Sequence, residues 1–589
     1  MNRIGNPYNV ALLLVLLVPC RLNSQEHVLV ENSPWEEMFL HIDRESYIAG
    51  EELWISIYNT ERVTGKMTDR SSIAYVELIS PWNNAVLQKR FHLIGGRGEG
   101  CFLLPDSLSS GTYTIRAYTN QMKNFLPYFC YTQDIELFNP FRGLEFFRKI
   151  PPENAFMKGI VLKPKPVFSD NHEPAALYIV SDTVYVRREK VILKLKADDT
   201  EIVTRVLSIA ITLSGASSIT NDLNEDMVSE RDAGIPDPDK LIKNQKRYGF
   251  ESEGHFLTFM VKYREGSIPD SCDYLYMSIQ GKVAEFNYAR RDTSGRFTFI
   301  MPVDSKPRNL IIQPENATGN MILEIEPSFS GVLTRSHTIR TVLTEAQQNI
   351  FSVLSFNFQT GRIYGFITKK ESAESDNIGF KKRRFYGIPE REILMDDFIK
   401  LPVMQEVFFE LVPGVILRSK RNGYELKITN PLTGEFYEEP PLVMIDGVII
   451  NDLAVIADLN PELVEKIEVI ETPYLFGDLI LHGIVNIITR SGTFSNATMP
   501  GYTVILPYKT VETSPQFTAP EYSDETKRSG RTPDLRNTLY WNPSVKTDKN
   551  GEAEIEFWTS DLSGKYLISI KGISGTGTKV ISYKSFRIK

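Results

Sequence analysis

The chain has 589 residues, which predicts several domains, and its hydrophobic content of 42% with a charged content of 24% is ordinary for globular protein. The net charge of −8 argues against a broad nucleic-acid-binding surface, because such a surface needs a basic stripe. The basic cluster Lys381–Arg384 follows a polar run and is interpreted as a solvated loop, so we expect no nucleic acid among the partners.

The first residues have the pattern of an export signal. After a short charged start, the apolar run Val10–Val18 is too short to span a bilayer, which takes ~20 residues, and it fits the hydrophobic region of a secretory signal peptide. We therefore predict a signal peptide over residues 1–25, with cleavage near Ser24–Gln25. Leu17–Cys20 has the form of a lipoprotein box, which leaves open lipidation of Cys20 and hence a lipid anchor.

The first predicted domain is a β-sandwich over residues 35–139. Leu53–Ile57 alternates in the manner of a half-buried strand, and the turn Ser110–Gly111 leads into a strand in which every second side chain can face the core. The same turn-and-strand pattern recurs at Ser294–Gly295 and Ser563–Gly564. Because its spacing is irregular, the pattern indicates separate sandwich modules rather than a solenoid repeat.

The cysteines of this domain permit two interpretations. Cys101 and Cys130 fall in the same predicted sandwich and could form a disulfide in an oxidising compartment. The alternative is that both are buried free thiols. The sequence contains no C-x-x-C pair, so neither a zinc knuckle nor a thioredoxin-type site is predicted.

Two further sandwiches and a helix are predicted next along the chain. The second sandwich is placed over residues 151–217 and the third over residues 255–327. The polar stretch 221–246 between them is interpreted as a surface loop. Residues 341–356 lack glycine and proline and space their apolar side chains as a helix does, so a connecting helix is predicted there.

A small α+β domain is predicted over residues 390–492. The apolar strand Leu442–Ile445 is followed by Asp446–Gly447, a strong two-residue hairpin signal because both positions favour a positive φ. Asn460–Pro461 has the form of a helix start, with asparagine as the N-cap and proline in the first turn. A last strand is predicted over Gly483–Thr489.

The end of the chain combines a predicted linker with another β segment. Residues 498–531 hold four prolines among serine, threonine and tyrosine residues, which is typical of a linker. Residues 534–589 form a β segment of about 55 residues, which is small for an independent sandwich. We therefore expect this segment to pair with strands from elsewhere in the chain.

The sequence contains no recognisable catalytic or cofactor motif. It has no H-E-x-x-H for zinc and no G-x-S-x-G nucleophile turn. The glycine-rich run Gly95–Gly100 lacks the Lys-Ser/Thr pair of a phosphate loop and precedes a predicted strand rather than a helix. We therefore predict no catalytic residue, no metal site and no cofactor, and we expect a protein that is not an enzyme.

Two stretches of the first domain resemble a known family. Asp43–Trp54 follows the order D-R-x-x-Y-x-x-G-E-x-x-W, and Leu104–Asn120 follows L-P-D-S-L-x-S-G-T-Y-x-x-R-A-Y-T-N. This order resembles the macroglobulin-like domains of secreted α2-macroglobulin superfamily members in Gram-negative envelopes. The resemblance implies a mainly β fold of tandem macroglobulin- or immunoglobulin-like sandwiches. None of the four cysteines is followed by Gly-Glu-Gln, so the thioester of that superfamily is not implied.

The stretch Pro441–Gly492 resembles the plug domain of TonB-dependent outer-membrane receptors, in the order I-D-G-V … V-E-K-I-E-V-I … G-I-V-N-I-I-T. In that family a β-barrel follows the plug, but only 589 − 492 = 97 residues follow here, fewer than ~22 strands of ~10 residues require. Glu26–Val30 is faintly similar to a TonB box and is interpreted as a short linker strand. The plug-like motif consists of Asp446, Gly447, Glu468, Tyr474, Gly477, Gly483 and Asn486.

Together the two resemblances imply a function in the cell envelope. We expect an exported, outer-membrane-associated protein that binds an outer-membrane β-barrel or associated envelope proteins in a transport or assembly complex. One alternative is an accessory plug that occludes or gates a barrel supplied by another chain. A second alternative is a macroglobulin-type protease inhibitor or enzyme.

Overall fold

A computed structural model describes residues 36–142, 177–197, 206–217, 248–263, 272–304, 306–315, 321–333, 345–364, 383–421, 423–493 and 502–589. The predicted signal peptide, Cys20, the segment Glu26–Val30 and the predicted loop 221–246 lie outside the described residues. Within the described residues the fold is mainly β, as predicted, and consists of three sandwiches and one α+β domain.

The first sandwich contains the first eight strands of the described chain. They are β1 (Glu36–Ile42), β2 (Ser46–Ile48), β3 (Glu52–Glu61), β4 (Ile73–Ile79), β5 (Ala85–His92), β6 (Arg97–Leu103), β7 (Gly111–Tyr118) and β8 (Tyr131–Phe138). One sheet has the order β1-β3-β6 and the other β2-β8-β7-β4-β5. Strands β3 and β4 are buried along nearly their whole length instead of alternating, because other domains cover the outer faces of both sheets.

The next segment contributes one half of the second sandwich. Its elements are β9 (Leu177–Val180), β10 (Val184–Tyr185), β11 (Lys190–Ala197), β12 (Val206–Leu213) and the short helix α1 (Ser214–Ser217). Exposed and buried side chains alternate strictly along β11, which places valine and leucine side chains on the core face and lysines in solvent.

The third sandwich follows and leads into the predicted helix. Its strands are β13 (His255–Tyr263), β14 (Tyr274–Ile279), β15 (Glu285–Arg290), β16 (Arg296–Met301), β17 (Arg308–Pro314) and β18 (Met321–Ile325). One sheet has the order β16-β13-β18, and the other contains β15-β14-β17. Helix α2 (Glu345–Ile363) then packs Phe351, Leu354 and Phe358 against β2 of the first sandwich and against α1.

The α+β domain is a mixed five-stranded sheet with two added hairpins. Its elements are β19 (Arg391–Leu394), α3 (Met404–Leu411), β20 (Val415–Lys420), β21 (Gly423–Ile428), β22 (Leu442–Ile445), β23 (Val448–Ile449), α4 (Ala454–Ala457), β24 (Val464–Ile470), β25 (Tyr474–Phe476), β26 (Leu479–Leu481) and β27 (Ile484–Thr489). The sheet order is β19-β24-β27-β22-β23, with β22 parallel to β27. The helix predicted at Asn460 is a single 3₁₀ turn, Pro461–Leu463, because strand β24 begins at the next residue.

The predicted linker 498–531 is ordered and belongs to two domains, so the prediction of a linker is wrong. Strand β28 (Val504–Tyr508) pairs with β17 and becomes the fourth strand of the third sandwich. Val511 is then buried in the core of the first sandwich. The short helix α5 (Glu525–Arg528) follows. The prolines of this stretch are typical of a linker, and the sequence does not show which strand the apolar residues between them pair with.

The C-terminal segment completes the second sandwich, so the prediction of a self-contained sandwich over residues 151–217 is wrong. Its strands are β29 (Thr538–Lys546), β30 (Glu552–Trp558), β31 (Gly564–Ile573) and β32 (Lys579–Ile588). The two sheets have the orders β10-β32-β31-β12-β29 and β30-β11-β9, so each combines strands from both segments. Neither segment alone supplies two complete apolar sheet faces, and each therefore needs the other to form a core.

This strand order makes the chain a nested set of insertions. The α+β domain lies in the sequence between β18 and β28 of the third sandwich, and the third sandwich lies between β12 and β29 of the second. The first sandwich precedes these insertions and contacts the second sandwich, helix α2 and the segment after β28. It is therefore the central domain of the described structure.

Candidate functional site

The cysteines among the described residues offer no reactive site. Cys101 and Cys130 are both buried free thiols, so the possible disulfide is not formed. Cys101 packs beside Trp54 where the first sandwich meets the second, whereas Cys130 lies in the core of the first sandwich. Burial raises the pKa of Cys130 to about 12, which keeps this thiol protonated and unreactive near neutral pH.

In the parts of the chain that the structure describes, no group of three or more histidine, cysteine or acidic side chains is arranged to hold a metal ion. No helix of these parts is both long and apolar enough to cross a membrane.

Asp446 and Gly447 of the plug-like motif form a buried turn at the boundary with the third sandwich. Both have a positive φ, of +49° and +76°, as the hairpin signal predicts. The carboxylate of Asp446 accepts hydrogen bonds from the backbone N–H of Thr489 at 2.7 Å and from its hydroxyl at 2.6 Å. The carbonyl of Asp446 accepts from the N–H of Gly281 in the third sandwich at 2.9 Å. A Cβ on Gly447 would lie 3.1 Å from the Cα of Ala284, so glycine permits this close approach of the two domains.

Glu468 and Asn486 lie in a buried hydrogen-bonded network beneath this turn. The Glu468 carboxylate accepts from Arg384 Nη2 at 2.6 Å, from Lys466 Nζ at 2.8 Å and from the Tyr386 hydroxyl at 2.5 Å. Asn486 donates from Nδ2 to that hydroxyl at 2.9 Å. Burial, together with the adjacent Glu468, raises the pKa of Tyr386. Because two cations neutralise the carboxylate, the network does not provide a free acid or base.

Of the remaining three motif residues, Tyr474 and Gly477 lie on the side of the domain that faces the third sandwich, and Gly483 packs inside the domain. The Tyr474 hydroxyl donates to the carbonyl of Phe385 at 2.6 Å. Gly477 has φ +66°, and a Cβ there would lie 2.1 Å from the hydroxyl oxygen of Tyr288 in the third sandwich. Gly483 has φ +92°, and a Cβ there would lie 2.7 Å from an isoleucine side chain of β21. Both glycines therefore occupy positions where a side chain would be strained.

The α+β domain and the third sandwich meet in an aromatic cluster. The Phe286 ring of the sandwich lies 4.9 Å from the Phe385 ring and 5.8 Å from the Phe476 ring, measured between centroids. The whole cluster consists of Tyr276, Phe286, Tyr288, Phe385, Tyr386, Tyr474 and Phe476. Six of the seven residues of the plug-like motif thus contribute to a turn, a buried network and a domain interface, whereas Gly483 packs against β21 inside the α+β domain.

The macroglobulin-like motif Asp43–Trp54 also forms a domain interface. Arg44 donates from Nη1 to Glu51 at 3.1 Å and from Nε to Asp43 at 3.3 Å, and all three side chains are buried. Two residues of the second sandwich complete the cluster: Asn537 donates to Glu51 at 2.9 Å, and Thr538 donates to Asp43 at 2.8 Å. Burial acts to lower the pKa of Arg44, but Glu51 and Asp43 raise it overall, so the guanidinium is charged.

The second half of that motif holds a different segment. Arg116 and Glu77 form a fully buried ion pair, in which Arg116 Nε donates to Glu77 at 2.8 Å. Arg116 also donates to the backbone carbonyls of Ser330 at 3.3 Å and Val332 at 2.5 Å, residues that follow the third sandwich. The two motifs are recognisable in the sequence, but their partners are not. Ser330 and Val332 contribute only backbone carbonyls, and Asn537 and Thr538 belong to no sequence pattern.

A buried histidine lies at the joint between the first and second sandwiches. His41 Nδ1 is 2.7 Å from Ser208 Oγ and His41 Nε2 is 3.1 Å from Ser569 Oγ, while Tyr58 donates to Ser208 at 2.8 Å. Burial, with a smaller contribution from Lys571, lowers the pKa of His41 well below its usual range. A histidine and a serine at this distance could act as base and nucleophile, but His41 is fully buried and no substrate can reach it.

The α+β domain carries a set of exposed apolar side chains that the sequence analysis missed. We call Phe398, Ile399, Val403, Phe409 and Leu463 the apolar surface; they are exposed to 45%, 78%, 40%, 73% and 52%. The ion pair of Lys400 with Glu462, at 2.8 Å, joins the segment that bears Ile399 to the turn that bears Leu463. The amphipathic spacing of helix α3 is the sequence feature that could have indicated this surface, since Phe408 is fully buried and the adjacent Phe409 is exposed.

Comparison with known proteins gives structural neighbours but no family. No family model matches the chain, and no curated protein matches it. Among solved structures, the chain is similar to Escherichia coli alpha-2-macroglobulin activated by porcine elastase, at 11% identity and a TM-score of 0.24, over 94% of this chain and 44% of that one. It is also similar to the native conformation of the E. coli protein, at 9% identity and a TM-score of 0.24, over 94% and 40%.

A third similar structure is Salmonella alpha-2-macroglobulin reacted with methylamine, at 8% identity and a TM-score of 0.23, over 94% of this chain and 39% of that one. This chain therefore spans less than half the length of the solved proteins that it is similar to. At such low identities and TM-scores, the function has to be argued from the residues of this chain.

Proposed function

We propose that the protein is a non-enzymatic, exported envelope protein that binds partner proteins in an outer-membrane transport or assembly complex. The observation that carries the proposal is the apolar surface of the α+β domain, in which Ile399 and Phe409 are more than two thirds exposed. Large exposed apolar groups with charged neighbours are typical of protein-binding sites, because their burial on binding is favourable.

Two ion pairs lie beside the Phe398–Ile399 segment and the turn that bears Leu463. Lys400 pairs with Glu462 at 2.8 Å, and Arg490 pairs with Asp396 at 3.1 Å. Such exposed ion pairs contribute little to folding stability, ~0–1 kcal/mol each. They can instead set the orientation of a partner, as polar rims do around the apolar centre of an interface.

The domain interface described above presents the apolar surface on a fixed base. The α+β domain contacts the third sandwich through the aromatic cluster, through the backbone hydrogen bond from Gly281 to Asp446, and through the ion pair of Lys282 with Glu465. Removing the domain would expose the aromatic cluster to water, at a cost of ~25 cal/mol per Å² of apolar area. This favours a binding platform over a plug that leaves its sandwich.

Recovery of partners from the envelope tests the proposal. The full-length chain would be immobilised and incubated with detergent-solubilised outer membrane of the source organism. We expect an outer-membrane β-barrel or an associated envelope protein to be retained by the wild type and lost with the Ile399→Asp/Phe409→Asp variant. The matched control is Val63→Asp/Ile94→Asp, which changes two equally exposed apolar residues of the first sandwich. Retention of no envelope protein, or equal retention by all three chains, would refute the proposal.

The alternative of an accessory plug rests on the resemblance of Pro441–Gly492 to receptor plugs. It requires the α+β domain to move away from the third sandwich. A covalent cross-link between Lys282→Cys and Glu465→Cys, made with a short bismaleimide, replaces an ion pair between the two domains and separates the two ideas. Tethered protein that still retains its partner but no longer changes barrel permeability would support the plug. Unchanged permeability with and without the cross-link would support the binding platform.

The protease-inhibitor alternative has less support in this chain. The described cysteines are buried and none belongs to a Cys-Gly-Glu-Gln thioester motif. Inhibition of a panel of proteases by the purified full-length chain would favour this alternative over a binding platform.

A further inference from the structure

A cleft lined with arginines lies on the second sandwich, away from the apolar surface. Its volume is about 530 Å³. Four of its lining residues are arginines and one is an aspartate, so the lining carries an excess of 4 − 1 = 3 positive charges. The lining residues are Arg187, Arg188, Arg528, Gly530, Arg531, Pro533, Leu535 and Asp561. This concentration of positive charge stands out in a chain whose net charge is −8.

Arg188 builds the cleft. Its guanidinium pairs with both oxygens of Asp561, at 2.7 and 2.6 Å. The same guanidinium donates to the backbone carbonyls of Lys527, Arg528, Gly530 and Thr532, at 3.2, 2.9, 2.6 and 2.8 Å. All of its donor directions are therefore used inside the protein. Its role is to hold the end of helix α5 and the loop after it in place, so that Arg528 and Arg531 face the cleft.

The turn that carries Arg188 has the same glutamate-capped form as a turn of the first sandwich but lacks its glycine. Val186 N–H donates to the Glu189 carboxylate at 2.7 Å, just as Ile48 N–H donates to Glu51 at 2.7 Å. The first sandwich has a glycine at the position before its glutamate, with φ +99°, whereas the second has Arg188 at φ +53°. A non-glycine residue at positive φ is uncommon and carries strain. The contacts of Arg188 with Asp561 and with the loop offset the strain of this backbone conformation.

The other three arginines keep donors available for a ligand. Arg187 donates from Nε and Nη2 to Ser563 at 3.2 and 3.1 Å, which leaves Nη1. Arg528 donates from Nε to the carbonyl of Tyr522 at 2.9 Å, which leaves both terminal nitrogens. Arg531 is exposed and has no hydrogen bond or ion pair with the described part of the chain. The one carboxylate of the cleft, Asp561, is already paired with Arg188.

The geometry points to a binding site for a ligand that bears phosphate groups. Guanidinium groups bind phosphate through paired, charge-assisted hydrogen bonds, and three of them with free donors suit a multiply charged anion. The volume is in the range of small-molecule sites and exceeds what one phosphate fills, so Pro533 and Leu535 can contact the remainder of the ligand. The phosphate can belong to a soluble molecule or to a lipid headgroup.

Binding to two phosphate sources tests this site. The full-length chain would be titrated calorimetrically with inorganic pyrophosphate, and separately sedimented with vesicles of phosphatidylcholine with and without phosphatidylglycerol. We expect each of the two substitutions in the Arg187→Glu/Arg531→Glu variant to weaken binding at least about tenfold, because each removes a charge-assisted contact. The control Lys306→Glu/Lys549→Glu makes the same change of charge at two exposed lysines outside the cleft and should bind like the wild type.

The outcomes distinguish the sources and can overturn the site. Pyrophosphate binding that only the arginine variant loses assigns the cleft to soluble phosphate compounds. Binding only to phosphatidylglycerol vesicles, lost in the same variant, assigns it to lipid headgroups. The proposed site is overturned if the wild type binds neither pyrophosphate nor the vesicles, or if the lysine control weakens binding as much as the arginine variant does. If the double reversal lowers the melting temperature, Arg187→Gln/Arg531→Gln replaces it. The apolar surface is untouched by these variants, so the result is independent of the proposed function.

Discussion

At the scale of single residues, two glycines with a similar backbone conformation differ in the space available for a side chain. Gly477 and Gly434 both have a positive φ, +66° and +74°. They differ in what a Cβ would meet: the Tyr288 hydroxyl at 2.1 Å for Gly477, and open space for Gly434. The pair therefore separates the cost of the backbone conformation from the cost of crowding the domain interface.

Replacement of these two glycines by alanine should destabilise the protein unequally. We expect Gly434→Ala to lower the free energy of unfolding by about 1 kcal/mol, the cost of a left-handed alanine. Gly477→Ala should cost about 1–3 kcal/mol more, because Tyr288 must move and its hydrogen bond from the hydroxyl to Asp478 is disturbed. Urea denaturation measures both. In the background of Tyr288→Phe the excess should shrink; an excess that stays the same would contradict this explanation.

Two histidines make stability depend on pH. Burial lowers the pKa of His41 well below its usual range, and burial with Arg90 and Lys123 lowers the pKa of His255 to about 2. Arg90 Nη1 donates to His255 Nε2 at 2.9 Å, which requires the neutral ring. Unfolding restores an ordinary pKa near 6.5, so the unfolded chain binds more protons below that pH. Their contribution to stability is complete above about pH 6.5 and is lost progressively as the pH falls.

The variant His255→Gln should reduce this pH dependence. Between pH 7.5 and pH 5.5, protonation of one histidine in the unfolded chain lowers the free energy of unfolding by about 1.4 kcal/mol. Buried carboxyl groups such as Glu251, whose pKa burial raises, act in the opposite direction, so the comparison has to be between variant and wild type. We expect the decrease to be smaller by about 1.4 kcal/mol in the variant. Equal decreases in urea denaturation at the two pH values would refute this assignment.

At the scale of elements, the stretch after β28 binds domains together. Glu512 N–H donates to the carbonyl of Arg90 at 2.8 Å, and Ser514 Oγ donates to the carbonyl of Glu99 at 2.7 Å. The Phe517 ring lies 5.5 Å from the Trp54 ring, between centroids. A stretch that reads as a linker is thus held along the first sandwich by backbone hydrogen bonds and by apolar contacts.

Shortening one buried side chain of this stretch should be costly. Val511→Ala removes methyl groups from the core of the first sandwich and should lower the free energy of unfolding by about 2 kcal/mol. The control is Ile505→Ala in β28, where the side chain is 51% exposed and the change should stay within about 0.5 kcal/mol. Thermal or urea denaturation measures the difference. Similar small effects at both positions would mean that the stretch is a linker after all.

At the scale of the whole molecule, nested insertion couples the two ends of the chain. Strand β12 pairs with both β29 and β31, and β11 pairs with β30. The second sandwich therefore forms only when the C-terminal segment returns to it, after the third sandwich and the α+β domain. Its joint with the first sandwich includes Trp541, which packs against Trp54 and Cys101.

A chain that ends at residue 533 should lack the second sandwich. We expect backbone amides of β11 and β12 to be protected from hydrogen exchange in the full-length protein and unprotected in the truncated one, because half of the core is missing. Addition of a polypeptide of residues 534–589 should restore protection. Protection in the truncated chain without that addition would contradict the shared sandwich.

Sequence patterns predicted the elements of the α+β domain better than the extent of those elements or which of their faces are exposed. Asp446–Gly447 was predicted as a hairpin turn and is one, since both torsions are set by local preferences. The 3₁₀ turn at Pro461–Leu463 was predicted as a helix start, because capping signals do not define how far a helix continues. The apolar surface was not predicted, since exposure of Phe409 beside buried Phe408 depends on which face of α3 the sheet covers.

The sequence by itself determined a mainly β chain and the glycine turns, because alternation of side chains and positive φ are local properties. Only the tertiary structure decided that residues 177–217 and 538–589 share one core and that residues 502–517 are not a linker. It also decided that Cys101 and Cys130 are apart and that the two family-like motifs mark domain joints. The physical reason is that a period of two residues specifies which face of a strand is buried but not which distant strand covers it.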